Sequence, residues 1–284
     1  MAILKSIVNG EFASTISLND RGFNYGDGLF ETIAMVNNKP VLWEQHFQRL
    51  SHGCEVLGIS KPDEQELKDE IARLCADFNS NTAYVVKIVV TRGESERGYK
   101  EPLNSSPNLV LILSSYPVYK PNYWDEGVSI RLCSTKLSRQ TQLAGIKHLN
   151  RLEQVLARRE WGDEFQEGLM AEESGNIIEG VMTNLFIVKD NVIITPDLSD
   201  AGVNGIMRNI IITICEAEGI QINQGIVSLD ELNKADEIFL TNSLIGVWPV
   251  KNIEDKVYPV GMLTRKLMRL LVEKYLVDYA SVNL

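Results

Sequence analysis

The stretch Tyr116-Pro117-Val118-Tyr119-Lys120-Pro121 constrains this chain more than any other, because two prolines so close together exclude both a helix and a central strand. A boundary there divides the 284 residues into an N-terminal domain over 1–118 and a C-terminal domain over 119–284. Apolar residues make up 44% of the chain, enough for each part to bury its own core.

Ahead of the boundary, Ile3 to Val8, Asn9-Gly10 and a further short segment read as a β-hairpin with a tight turn. Leu42, His46/Phe47, Leu50, Cys54 and Leu57 recur at helical spacing up to Gly58. Leu67, Ile71, Leu74 and Phe78 mark a second helix over Asp63 to Phe78, and the runs Tyr84 to Val90 and Leu109 to Leu113 suit strands. Beyond the boundary, strands are expected at Val128 to Cys133, Gly168 to Glu172, Ile177 to Val188, Val192 to Thr195 and Glu237 to Thr241. Helices are expected from Asn150 to Trp161 with Leu152, Val155 and Leu156 at fitting intervals, from about Arg208 to Gly219, and from Met262 to Leu276. The sum is a mixed α/β chain in two lobes.

The formal charge of -10 argues against a nucleic-acid surface, although a few arginines in one cleft can still hold a small anion. His46, His52 and His148 stand at no metal-ligand spacing from one another or from a cysteine, so no protein-built metal site is expected. No apolar run approaches the roughly 20 residues that span a bilayer, and the first residues lack the apolar core of a signal peptide. With Cys54, Cys75, Cys133 and Cys215 read as small buried hydrophobes, the expectation is a soluble protein of the cytoplasm, without membrane or nucleic-acid partners.

Five segments carry the residues with chemistry. Lys147 ends the apolar run Leu143-Ala144-Gly145-Ile146 just before a helix. Most lone lysines are solvated charges, but a desolvated one loses basicity and forms imines with carbonyls. Glu179 interrupts the apolar Ile177-Ile178-Glu179-Gly180-Val181, either as an edge position, as a buried acid paired with an arginine, or as a carboxylate facing a protonated ring nitrogen. Gly202-Val203-Asn204-Gly205-Ile206-Met207-Arg208 opens a helix whose free N–H groups favour an anion, though most such loops are plain turns. Thr241-Asn242-Ser243 at a strand end offers a hydroxyl to the same anion, and Arg49, on the polar flank of the first helix, is either its bidentate partner or a surface arginine. The glycines and aromatics of Asp20 to Thr32 suggest backbone folded beside something flat, or a bulged hairpin, and the polar loop Thr91 to Tyr99 is solvent-facing or holds a carboxylate.

Taken together and in order, DRGFNYGDGLFET (20–32), GIKHLNRLEQVLARREW (145–161), IIEGVMTNLFIV (177–188), AGVNGIMR (201–208) and FLTNSLIGVWPV (239–250) resemble the fold-type IV pyridoxal-phosphate enzymes. That group holds branched-chain aminotransferases, D-amino acid aminotransferases and 4-amino-4-deoxychorismate lyases, and the resemblance runs from Asp20 to about Val250. It implies a two-domain α/β fold, with a smaller N-terminal α/β sandwich and a larger C-terminal α/β pseudo-barrel. It also implies pyridoxal 5'-phosphate as cofactor, a small-molecule substrate and a homodimer. Lys147 would form the Schiff base and shuttle protons, Glu179 would face the pyridine nitrogen, and Arg49, the backbone at Ile206 and Met207, and Ser243 would hold the phosphate.

Within the group the segments 145–161 and 241–250 look most like the lyases. That implies Arg97 and Asn242 on substrate carboxylate, the Thr32 hydroxyl assisting proton transfer, and Tyr25 and Phe30 against the substrate. D-amino acid aminotransferases carry a histidine where Tyr99 stands, which counts against that branch. The implied reaction is an α,β-elimination that releases 4-aminobenzoate and pyruvate, with an aminotransferase on the same lysine as the rival. A cofactor-free scaffold on this fold is a further alternative, since fold does not guarantee activity.

Overall fold

The computed structural model describes residues 2–103, 105–275 and 279. They form two compact units, one of residues up to Val118 together with Ile146–Asn150, the other of Tyr119–Gly145 and the residues from Arg151 onward. A single break at 118 assigns Ile146–Asn150 to the second domain, but these residues return to the first unit because their backbone pairs with its sheet. Phe30 N–H donates to the Lys147 carbonyl at 3.0 Å and Leu149 N–H to the Gly28 carbonyl at 2.9 Å.

The first unit runs β1 (Ile3–Val8), β2 (Glu11–Phe12), α1 (Arg21–Tyr25), β3 (Gly28–Val36), β4 (Lys39–Pro40), α2 (Trp43–Leu57), α3 (Glu64–Cys75), β5 (Tyr84–Thr91) and β6 (Asn108–Ser115). Its antiparallel sheet has the order β2-β1-β6-β5-β3-β4. Asn9 and Gly10 take positive φ of 49° and 82°, the two-residue turn that Asn-Gly favours. Helix α2 packs on β3, and α3 on β1 and β6. Leu29, Ile33, Met35, Val86, Ile88, Leu111 and Leu113 are buried on the sheet, with Leu50, Cys54, Leu67 and Leu74 from the helices. Alternation leaves Phe30, Thr32, Lys87 and Val89 less buried, and the pairings Thr32↔Lys87 and Phe30↔Val89 put these four on one face.

The second unit runs α4 (Asn122–Asp125), β7 (Val128–Leu132), α5 (Leu152–Arg158), β8 (Glu167–Ala171), β9 (Ile177–Gly180), β10 (Asn184–Lys189), β11 (Val192–Pro196), α6 (Ile206–Ala217), β12 (Ile222–Gly225), α7 (Leu229–Asn233), β13 (Glu237–Asn242), β14 (Gly246–Ile253), β15 (Lys256–Val257) and α8 (Met262–Tyr275). Six strands, β10-β13-β14-β7-β8-β9, close on themselves through the pairing of Asn184 with Glu179. Closure removes the edges that an open sheet would expose.

Two expectations are corrected, for the strand over 177–188 and the helix over 150–161, and one strand is added. The single strand expected over Ile177 to Val188 is two, broken at Val181–Thr183 by a turn that lets β9 and β10 pair with each other. Residues 246–253 form β14 despite Pro249, whose missing N–H falls beside an irregularity in the pairing with β7 between Val250 and Asn252. Helix α5 is shorter than 150–161, and its apolar residues face outward, with Leu152 69%, Val155 53% and Leu156 45% exposed. Helix α8 ends at Tyr275, and Leu276, expected to close it, lies outside the described residues.

Gly205, the N-cap of α6, lies so close to Asn184 that a Cβ there would come within 1.9 Å of the Asn184 Oδ1. Overpacking at such a contact costs about 1–3 kcal/mol. Gly205→Ala is therefore expected to lower the unfolding free energy, measured by denaturant titration, by that amount, and an unchanged value would show that α6 is not seated on this strand.

Candidate active site

In the first unit Lys147 is fixed through its own carbonyl on Phe30, and its Nζ lies 4.5 Å from the centroid of the Phe30 ring. The Nζ of Lys87 lies 5.0 Å from the same centroid. Burial alone lowers the Lys87 ammonium below its ordinary value. Thr32 pairs with Lys87 across the strands, so hydroxyl, amines and aromatic ring share one face. Lys87 is absent from the residues singled out in the sequence, although a lysine within the apolar run Tyr-Val-Val-Lys-Ile-Val-Val is a signal of the same kind as Lys147.

Arg49 does not lie on a polar flank. Its Nε and Nη2 donate to the two carboxylate oxygens of Glu31 at 2.7 and 2.6 Å, and His46 Nδ1 meets Glu31 Oε2 at 2.7 Å. Glu31 and His46 are each 1% exposed. Burial would raise the Glu31 carboxyl, but the Arg49 guanidinium outweighs it and holds the group at about 2. Burial also lowers His46, so near neutral pH the countercharge is Arg49 and the imidazole is a neutral hydrogen-bond partner.

The loop after β5 is moulded from below. Arg21, 4% exposed, donates to the carbonyls of Gly98, Tyr99 and Lys100 and to the Ser95 hydroxyl. Gly98 N–H donates to the Tyr25 hydroxyl at 3.0 Å, so Tyr25, expected against substrate, has its oxygen engaged in holding this loop. Arg97 on the loop is exposed.

In the second unit Glu179 is 4% exposed. Its Oε2 accepts from Val203 N–H at 2.8 Å and from Asn184 Nδ2 at 3.4 Å, and the latter also donates to the Val203 carbonyl. The carboxylate thus anchors the loop that leads into α6. Gly145, two residues before Lys147, is tied to that loop as well. Its N–H donates to the Gly202 carbonyl, and its carbonyl accepts from Asn204 N–H.

Asn242 Oδ1 accepts from Leu244 N–H and Ile245 N–H at 2.8 and 2.9 Å, while Nδ2 donates to the Met182 carbonyl at 3.2 Å. It builds the turn after β13 and keeps one amide hydrogen for a ligand. Ser243 lies in that turn.

Two features of this unit fit a phosphate. Gly205 gives the N-terminal amides of α6, those of Ile206 and Met207 among them, no side-chain cap. The Thr241 hydroxyl, opposite Asn184 in the ladder, is buried and has no hydrogen-bond partner among the described residues. The sequence presents Thr241 only as part of its tripeptide and gives no sign of the burial that sets it apart. Among the described residues no group of His, Cys, Asp and Glu is arranged to hold a metal ion.

The first unit thus holds an aromatic-flanked lysine, and the second an uncapped helix N-terminus and a buried carboxylate. The family model described as Amino-transferase class IV matches residues 28–253, and the chain belongs to this family. It is 36% identical over 265 residues to an aminodeoxychorismate lyase from Vibrio harveyi, covering 92% of this chain and 97% of that one. It is 29% identical to a putative branched-chain-amino-acid aminotransferase from Methanocaldococcus jannaschii, over 93% of this chain and 94% of that one. The crystal structure of 4-amino-4-deoxychorismate lyase from Pseudomonas aeruginosa matches with a TM-score of 0.90 and 44% identity, over 95% of this chain and 98% of that one.

Glu31 sets a pH dependence. Its folded pKa of about 2 lies below the 4.5 of a free glutamate, so its contribution is complete above pH 4.5 and is lost as pH falls toward 2. At about 1.4 kcal/mol per unit this is on the order of 3 kcal/mol. Unfolding free energies measured across that window should fall less steeply for Glu31→Gln than for the parent protein, and equal slopes would assign the acid sensitivity elsewhere.

Proposed function

We propose that this protein is a pyridoxal 5'-phosphate-dependent lyase that converts 4-amino-4-deoxychorismate to 4-aminobenzoate and pyruvate, a step toward folate. The observation that carries the reading is Lys147, whose amine is aimed over Phe30 on the face that also bears Thr32. The identity of 36% and 44% to two lyases over nearly the whole chain, against 29% to the aminotransferase, supports it. Tyr99, in the place of the histidine of D-amino acid aminotransferases, supports it too.

When bound, the cofactor supplies an aldehyde that takes the substrate amine and a protonated ring that accepts the electron pair of the adjacent C–H bond. The amine of Lys147 removes that proton from the amine-bearing ring carbon. Glu179 would keep the ring nitrogen protonated; the Val203 and Asn184 donors hold its carboxylate in one orientation. Cleavage of the bond from the neighbouring carbon to the enolpyruvyl oxygen would leave the six-membered ring aromatic and expel the enolate, whose methylene carbon would take a proton passed on by Thr32 to give pyruvate. Arg97 and the remaining amide hydrogen of Asn242 bind substrate carboxylate, and Lys87 adds a cation on the Thr32 face. Arg49, the amides of Ile206 and Met207, and Ser243 would hold the phosphate, with Arg49 pre-oriented by Glu31.

The protein works in the cytoplasm as a homodimer in this reading. Its four cysteines are buried and free, which supports a reducing compartment, and no helix among the described residues is long and apolar enough to cross a membrane. The outward Leu152, Val155 and Leu156 of α5 supply an apolar stripe for a second copy. Leu152→Glu should shift the mass measured by light scattering from dimer toward monomer, and a dimer unaffected by it would remove α5 from the interface.

The decisive assay supplies aminodeoxychorismate with no keto acid. Expected are equal amounts of 4-aminobenzoate and pyruvate, a yellow protein, and borohydride fixation of the cofactor to Lys147. Strict dependence on an added 2-keto acid would establish an aminotransferase instead, and a colourless protein that takes up no cofactor would establish a scaffold.

A further inference from the structure

Glu167, at the start of β8, belongs to none of the roles above and is 1% exposed. Its Oε1 accepts from Gly168 N–H at 2.9 Å and Val181 N–H at 3.1 Å. Its Oε2 accepts from Met182 N–H at 3.1 Å and the Thr183 hydroxyl at 3.0 Å. Three of these donors are consecutive, and together they are the whole turn that separates β9 from β10.

That turn has a functional residue on each side. Glu179 stands two positions before Val181, and Asn184, which bonds Glu179, directly follows Thr183. The Met182 carbonyl also accepts from Asn242. Gly180 leaves room for the arrangement, since a Cβ there would come within 2.2 Å of the Thr183 Oγ1 and 3.0 Å of the Glu167 carboxyl carbon.

A buried carboxylate costs stability unless donors meet it, and an apolar residue would fill the same volume without that demand. Burial pushes Glu167 up to about 7 even against the pull of its donors. The arrangement is therefore costly for fold stability alone, and what it secures is the shape of one turn.

We propose that Glu167 is a positioning residue that clamps the Val181–Thr183 turn and thereby sets the seats of Glu179 and Asn242. This rests on the reading above that Glu179 faces the cofactor's ring nitrogen and that Asn242 binds substrate.

Glu167→Gln keeps the shape but turns two of the four acceptor contacts into donor facing donor. The holoenzyme carrying it should retain bound cofactor while kcat falls roughly ten- to a hundredfold, the scale of a small misplacement of reacting groups. The pH midpoint of the bound cofactor's absorbance should rise, because a less firmly protonated ring withdraws less charge from the lysine nitrogen. KM for substrate should rise as well, through Asn242. Leu267→Ala, a core deletion in α8 away from the turn, serves as the control that lowers melting temperature without touching the clamp. It should leave the absorbance midpoint in place.

If Glu167→Gln fails to fold, Thr183→Val removes a single donor from the clamp and should move the same quantities in the same directions by less. An absorbance midpoint and kcat unchanged in the folded variant, with Glu179→Gln still damaging, would overturn the clamp while leaving the role of Glu179 intact. A silent Glu179→Gln would instead overturn the reading of Glu179, and this proposal with it.

Discussion

The closure of the six-strand ring through Asn184 and Glu179 is the constraint on which the second unit depends. A carboxylate buried at the point of closure must be met by donors or remain protonated. Val203 N–H and the Asn184 amide meet it, and because Val203 lies in the loop that enters α6, the same bond fixes where the helix begins. A charge-bearing strand, a loop and an uncapped helix N-terminus are thus located by a single group. Gly202 and Gly205 are part of the same requirement, since a Cβ at either would intrude on Glu179 or Asn184.

The first unit solves the opposite problem. The chain carries a charge of -10, yet Lys147, Lys87 and Arg49 gather there with Glu31 as the carboxylate bonded to Arg49. Local concentration of cations governs what a cleft attracts, and distant surface acids are screened within about 8–10 Å of salt solution. Glu31 is met by Arg49 and His46 on the helix side of β3, while Thr32 and Phe30 face the other way. Alternation along one strand therefore separates the group that orients an arginine from the face that bears Thr32 and Phe30.

Much of this is legible in the sequence. The helical stripes of α2 and α3 and the Asn-Gly turn are local signals, and local signals survive in one dimension. The features that escape it depend on contacts far apart in the chain. The return of Ile146–Asn150 to the first unit is decided by backbone bonds to β3 more than a hundred residues earlier. The turn at Val181–Thr183 carries neither proline nor glycine and is made by a glutamate on another strand, so the apolar run reads as continuous. The outward face of α5 reads as a core stripe because periodicity reports that a face is apolar, not what covers it. Site residues divide in the same manner. Lys147 and Glu179 stand out as charges among apolar neighbours, whereas Lys87, placed no less conspicuously, acquires meaning only from Phe30 and Thr32 across the sheet.

In the proposed reading Lys147 and Glu179 would serve elimination and amino transfer alike, so the choice between them would turn on the step after proton removal. An aminotransferase must hand the proton to the cofactor and keep a place for a second, keto-acid substrate. A lyase needs a leaving group on the neighbouring carbon and a proton donor for it, and aromatisation of the ring makes the step irreversible in practice. Thr32 is on the Lys147 face of the sheet, with Lys87 paired opposite it, so a hydroxyl and a cation lie together where an oxygen leaving group would gather charge. A cation beside a departing oxygen stabilises the charge that develops as the bond breaks. An amino transfer would give that pair no such charge to meet, and in the proposed reading this asymmetry, more than the shared lysine, would favour elimination.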